Sequence, residues 1–239
     1  MKIQIALALA LASAPFANAV LINVNFNGGG DSPAEATLSG PAGGLGTTWN
    51  SSAAVDTGAL NNSAGVLTGV SIDTNYSDIK LGQETAGTLP IFRSYVDVFA
   101  RPNSNTVTIN GLDSEGVYDI WILSYRDITT VSTTERNVGV WETTNTTTSS
   151  ATQSVDSQSG SPDGSAFQEG YNYVLFNNVV ATVGGVISFT AKGNGEGSPQ
   201  DGNSRRLHIN GLQIQQVPEP STTALLGLGG LALVFRRRK

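Results

Sequence analysis

Cysteine is absent from this chain, and histidine occurs once, as His208. Without thiols there is no disulfide frame, no cysteine nucleophile and no cysteine-ligated zinc, and a single imidazole excludes a multi-histidine metal centre. Crosslinks are dispensable at this size, since a domain of about 150 residues already buries about two-thirds of its unfolded surface. Long apolar runs are also missing, and no stretch reaches the roughly 20 residues that a membrane-spanning helix needs. No segment combines a 3.6-residue apolar period with helix caps, so few helices are predicted. Several chemical signatures are lacking as well. There is no G-x-S-x-G elbow and no G-K-[ST] phosphate loop, Gly28-Gly29-Gly30 follows a strand pattern without opening a helix, and no EF-hand loop occurs.

What is present begins at the two ends. Lys2 is followed by an apolar stretch from Ile3 to Ala12 and then by Ala17-Asn18-Ala19. A positive charge, an apolar core too short to span and an A-x-A end are the parts of a secretory signal peptide, with the cut predicted after Ala19. A buried N-terminal helix is the alternative, opposed by the lack of a polar face and by Pro15. At the other end, Val217-Pro218-Glu219-Pro220-Ser221 leads into an apolar run from Ala224 to Phe235 and then into Arg236, Arg237, Arg238 and Lys239. That run is short for a permanent anchor, and Gly227, Gly229 and Gly230 lower its helix propensity. Basic residues placed directly after it are held on the cytoplasmic side. The segment therefore reads as a transient membrane stop, with a simple membrane tail as the alternative.

Pro-Glu-Pro, a glycine-rich apolar stretch and terminal arginines, in that order, resemble the PEP-CTERM sorting signal of Gram-negative bacteria. The resemblance implies that a membrane peptidase of the exosortase type processes the chain near Pro218, Glu219 and Pro220. It further implies release to the cell surface or an extracellular polymer matrix. Three segments result: 1–19 as signal peptide, 20–216 as the working domain and 217–239 as sorting signal. Signal peptidase and exosortase are then partners during export, with transient membrane contact through the tail. Removing both ends leaves eight basic and eighteen acidic residues, a net charge near −10. Such a surface repels nucleic acid and anionic headgroups.

Between the signals, short segments rich in Val, Ile, Phe, Tyr and Thr alternate with Gly, Asn, Asp, Ser and Pro clusters, which is the pattern of an all-β sandwich or barrel. Strands are predicted near 20–26, 66–72, 95–99, 105–112, 117–125, 137–142, 171–176, 186–190 and 206–215. The segment from Val117 to Tyr125 is apolar on both faces and should lie centrally in a sheet. The turn-rich Asn110 to Gly116 suggests a hairpin joining it to the strand before. From Thr143 to Ser161, twelve of nineteen residues are Ser or Thr. The stretch is either a polar edge strand or an exposed loop open to O-glycans, and the loop is the favoured reading.

A second resemblance rests on Asn23-Val24-Asn25-Phe26, on Thr108-Ile109-Asn110-Gly111-Leu112 with Gly116-Val117-Tyr118-Asp119-Ile120-Trp121-Ile122, and on Leu207-His208-Ile209-Asn210-Gly211-Leu212-Gln213-Ile214. Together they look like the galactose-binding-domain type of jelly-roll β-sandwich. That resemblance implies the architecture of many carbohydrate-binding modules.

Chemistry has few candidates. His208 falls in a strand pattern where His208, Asn210, Leu212 and Ile214 would share a face, which suits a packed histidine better than a catalytic one. Carboxylates such as Asp97, Asp113, Glu115, Asp119, Asp127, Glu135 and Glu169 fall mostly in turns, and a hydrolase would need two of them at a defined separation. Asp31, Glu35 and Asp201 are hard oxygen donors in or beside glycine-rich loops, so calcium is the one cofactor the sequence admits. Trp49 and Trp141 are predicted exposed, and with Arg93 and Arg136 they would stack on and hydrogen-bond a glycan. The leading expectation is a non-enzymatic surface or matrix protein associating with extracellular polysaccharide. An extracellular carbohydrate-active hydrolase and a structural envelope component that associates through edge strands are the alternatives.

Overall fold

A computed structural model describes residues 20–26, 37–44, 47–52, 56–74, 79–81, 89–98, 105–125, 137–145, 151–157, 164–193 and 207–218. Residues Val20–Gln216 form one compact unit, and a second unit comprises Met1–Ala19 with Val217–Lys239. The first unit is a jelly-roll β-sandwich. Its strands are β1 (Leu21–Phe26), β2 (Asn50–Ser52), β3 (Ser71–Thr74), β4 (Ile79–Leu81), β5 (Ser94–Val98), β6 (Asn105–Asn110), β7 (Val117–Leu123), β8 (Asn137–Thr143), β9 (Ala151–Ser157), β10 (Tyr173–Val180), β11 (Ile187–Gly193), β12 (Leu207–Ile209) and β13 (Gly211–Gln216). One sheet runs β10-β7-β13-β1-β2, the second β3-β6-β11-β8-β9, and β12-β5-β4 form a smaller third.

Period-two alternation explains the core. Ile22, Val24 and Phe26 of β1, Tyr118, Ile120 and Ile122 of β7, and Leu212 and Ile214 of β13 point inward from the first sheet. They meet Val107 and Ile109 of β6, Ile187 and Phe189 of β11, and Trp141 of β8 from the second. Phe176 and Phe189 touch across the interior with ring centroids 5.0 Å apart. The first sheet is also covered on its outer side by Leu38, Trp49, Ile91, Phe92, Tyr125 and Tyr171. That second layer explains why β7 is apolar on both faces. β7 lies between β10 and β13, the central position predicted for it.

A polar stitch holds part of that outer layer. Gln213 Nε2 donates to Asn23 Oδ1 (2.8 Å) and to the Gly43 carbonyl (3.0 Å), while Ala42 N–H donates to Gln213 Oε1 (2.9 Å). Asn23 Nδ2 donates in turn to Thr47 Oγ1 and the Thr48 carbonyl, both at 3.1 Å. Asn23 and Gln213 are fully buried and opposite each other on β1 and β13. A Gln213→Ala change strands the buried Asn23 Oδ1, at about 1–3 kcal/mol when left unpaired, and unties the Ala42 N–H and the Gly43 carbonyl from the sheet. It should lower the urea midpoint and open the 37–49 segment to protease.

Four expectations are corrected. β6 and β7 are not a hairpin: they lie in different sheets, and 111–116 arches between them, tied by Leu112 N–H to the Gly185 carbonyl (3.0 Å). Their apolar faces need to cover the same interior from opposite sides, which a hairpin within one sheet cannot do. The strand expected at 66–72 begins only at Ser71, because Asn62 organises a turn by accepting from the N–H groups of Ala64 and Val66 through Oδ1, both at 3.0 Å. The Ser/Thr-rich stretch contains β9, paired with β8 from Asn137↔Ser157 to Thr143↔Ala151, where a loop was favoured. Threonine suits an exposed pleated edge, and ladder hydrogen bonds need no apolar side chain.

The last correction concerns 206–215, expected as one strand. It is two, broken at Asn210, whose N–H donates to the Leu123 carbonyl (2.9 Å), whose carbonyl accepts from Phe26 N–H (2.9 Å) and whose Oδ1 accepts from Tyr125 N–H (2.6 Å). The break reverses side-chain parity. Leu207 and Ile209 point into the main core before it, Leu212 and Ile214 after it. His208 therefore does not share a face with Leu212 and Ile214.

Candidate functional site

The outer face of the second sheet is built by strands whose inward residues are committed to the core, so its chemistry is set by the alternate positions. Across that face, Thr106 of β6 opposes Thr190 of β11, Thr190 opposes Glu142 of β8, and Glu142 opposes Thr152 of β9. In the next row, Asp73 of β3 opposes Thr108, which opposes Ser188. On the other side, Lys192 opposes Val140, which opposes Ser154. All of these side chains are half-buried or exposed. Neighbouring strands lie about 4.8 Å apart, so the face is a regular array of hydroxyls.

Within the array, Asn110 Nδ2 donates to Asp73 Oδ2 (2.7 Å), Thr108 Oγ1 and Ser188 Oγ lie 3.4 Å apart, and Lys192 Nζ pairs with Glu142 Oε2. Hydroxyls in this setting donate and accept hydrogen bonds in either sense. They have what is needed to contact a polyol, and the two carboxylates set among them, Asp73 and Glu142, are engaged by Asn110 and Lys192. A smaller polar hollow of about 340 Å³ lies beside β2, lined by Thr48, Asn50, Ser51, Ser52, Thr57 and Asn61 among others.

Residues singled out from the sequence fall elsewhere. Trp49 and Trp141, expected at the surface, are 1 % and 0 % exposed. Trp49 packs in the outer layer and donates Nε1–H to the Gly44 carbonyl (3.0 Å), whereas Trp141 fills the interior between the sheets. Polar neighbours in sequence suggested exposure, but Trp141 sits at an inward position of an alternating strand, and Leu38 and Trp49 pack over the outer side of the first sheet. Arg93 is half-buried after the 3-10 turn Pro90–Phe92. His208 is 1 % exposed, and Ser124 Oγ–H donates to its backbone carbonyl (2.5 Å), not to its imidazole.

Carboxylates are engaged one at a time. Asp113 Oδ2 accepts from Gln216 Nε2 (2.7 Å) and Asp119 Oδ1 from Asn178 N–H (2.9 Å). Burial pushes the Tyr118 phenol above 10.0; the hydrogen bond from Asp113 N–H opposes this, and the nearby Asp113 charge adds to it. Tyr173 is raised by burial and then by the charge of Glu169. Among the described residues, no group of three or more His, Asp or Glu side chains could hold a metal ion. Asp31, Glu35, Asp201 and Arg136, with the processing residues Ala17, Ala19, Glu219, Pro220, Arg236, Arg237 and Arg238, lie outside the described residues.

Pro218 stands exposed two residues after β13 ends, at the head of the Pro-Glu-Pro stretch. Residues 216–239 match the PEP-CTERM protein-sorting motif. The match marks an exported protein, sorted to the cell surface with processing by an exosortase-type peptidase. The PEP-CTERM segment begins on Gln216, the last residue of β13, so the sorting signal follows the sandwich with no linker. Among solved structures, the chain is similar to one titled as the crystal structure of plant receptor-like kinase ANX2. The TM-score is 0.48 and the identity 15 %, over 84 % of this chain and 49 % of that one. The chain thus spans about half the length of that structure. No curated protein matches.

Proposed function

We propose that this protein is a non-enzymatic, polysaccharide-associating module of the cell surface or extracellular matrix of a Gram-negative bacterium. In this reading residues 1–19 are removed by signal peptidase, 20–216 are the working domain and 217–239 the sorting signal. One observation carries the binding half: the hydroxyl array on the outer face of the β3-β6-β11-β8-β9 sheet, where Thr106, Thr108, Ser188, Thr190, Thr152 and Ser154 recur across neighbouring strands. Binding would be polyvalent, many weak hydrogen bonds to a long polymer summing to useful avidity. The acidic balance of the mature segment favours a neutral polymer over a polyanion, and calcium remains a proposed adjunct through Asp31, Glu35 and Asp201.

The test is retention of the Val20 to Gln216 protein on neutral and acidic polysaccharides and on a glycan array, with and without calcium. A Thr106→Glu, Thr190→Glu double variant should bind at least tenfold more weakly while keeping its melting temperature within a few degrees. Silence on every polymer, or binding that the double variant leaves unchanged, would remove this face from the reading.

A further inference from the structure

Among the described residues, the exposed large apolar side chains are Val20, Val66, Leu67 and Val183, at 38, 60, 67 and 77 %. They come from three segments far apart in sequence, each tied to the end of the sandwich where β1 starts, β13 ends and the 111–116 arch lies. Ser63 N–H donates to the Leu21 carbonyl (2.7 Å), which brings the turn bearing Val66 and Leu67 against the start of β1. Glu115 N–H donates to the Thr182 carbonyl (3.4 Å), which brings the turn bearing Val183 against the 111–116 arch. A hollow of about 180 Å³ lies between the start of β1, the 68–70 segment and the 111–116 arch, lined by Val20, Thr68, Val70, Leu112, Ile214 and Gln216. Scattered exposed aliphatics need no explanation, but a set gathered at one end does.

The chain itself names what faces this end. Gln216 N–H donates to the Val20 carbonyl (3.1 Å), so both termini of the compact unit leave from here. Only Val217 separates Gln216 from Pro218, and the apolar run opens at Ala224. Eight residues reach at most about 28 Å when fully extended. A tail seated in the bilayer therefore keeps this end at the lipid surface, at an effective concentration that populates even a weak contact.

We propose that, before the tail is cut, this end rests on the membrane, with Val66, Leu67 and Val183 entering the headgroup boundary. The contact holds the C-terminal end of β13 close to the membrane, where a membrane peptidase works. It rests on the sorting reading of the tail. Asp113 and Glu115 are exposed at the same end, so the surface it fits is zwitterionic lipid and not anionic lipid.

Because the chain has no cysteine, single substitutions give unique labelling sites. Leu67→Cys, Val183→Cys and, on the outer face of β9, Ser154→Cys are each made in the chain from Val20 to Lys239. Each is labelled with a polarity-sensitive fluorophore and added to phosphatidylcholine vesicles. On floated vesicles, labels at 67 and 183 should shift to the blue and be quenched by iodide several-fold less than the label at 154. If the protein does not float, the membrane-seated tail is wrong and the contact falls with it. If it floats and all three labels are quenched alike, the tail reading stands and the contact alone is overturned.

Discussion

A chain from Val20 stopped after Asn210 should fail to fold, whereas one stopped after Pro218 should fold as stably as the chain that continues through the tail. β13 is the last strand among the described residues, yet it occupies the middle of its sheet, pairing with β1 from Leu21↔Gln215 to Asn25↔Gly211 and with β7 from Gly211↔Leu123 to Gln216↔Tyr118. Its loss leaves β1 and β7 each with one neighbour instead of two, splitting the sheet in its middle, and removes Leu212 and Ile214, each worth about 1.5–3 kcal/mol of burial. It also removes Gln213, the residue that stitches segment 40–47 to the sheet. A domain with a total margin of about 5–15 kcal/mol does not survive that combination. Circular dichroism and size-exclusion elution of the two proteins decide it. Folded protein lacking β13 would mean that the sheet closes in another register. The same topology makes folding wait for the residues just before the sorting motif, so processing at Pro-Glu-Pro spares the fold and processing a few residues earlier destroys it.

Trp141→Ala should lower stability by about 3–5 kcal/mol, the cost of emptying a large aromatic site in a packed interior. Trp141 is fully buried between the two sheets, opposite Ala191 on one side and Gln153 on the other. Its indole Nε1–H has no hydrogen-bond partner. Trp141→Phe therefore removes a desolvated polar group along with volume and should cost clearly less than Trp141→Ala. Urea midpoints of the three proteins measure the difference. A midpoint unmoved by Trp141→Ala would place this side chain at the surface and restore it as a candidate for glycan stacking.

Much of the architecture was legible one segment at a time. Alternation in 20–26 and 105–110, the double-sided apolar run of 117–123 and the helix-poor composition each report a local constraint that neighbouring residues carry. The sorting segment is equally local, because its parts act through their order along the chain. The candidate surface was less legible. Thr106, Thr108, Ser188 and Thr190 are unremarkable in sequence, and only the pairing of β6 with β11 gathers them. The signal that could have found them is the polar residue at each outward position of 105–110, Thr106, Thr108 and Asn110, matched by polar outward positions in 187–192.

What the sequence determined by itself is the division into an apolar start, a β-rich middle and a Pro-Glu-Pro tail, together with the strand character of most of that middle. Tertiary structure alone decided that β6 and β7 go to opposite sheets, that parity reverses at Asn210 and that both tryptophans are covered. The physical reason is that burial belongs to a face and not to a residue. Whether a face is covered depends on segments far away in the chain, as when 37–49 and 89–92 fold over a sheet whose strands come from both ends of the domain.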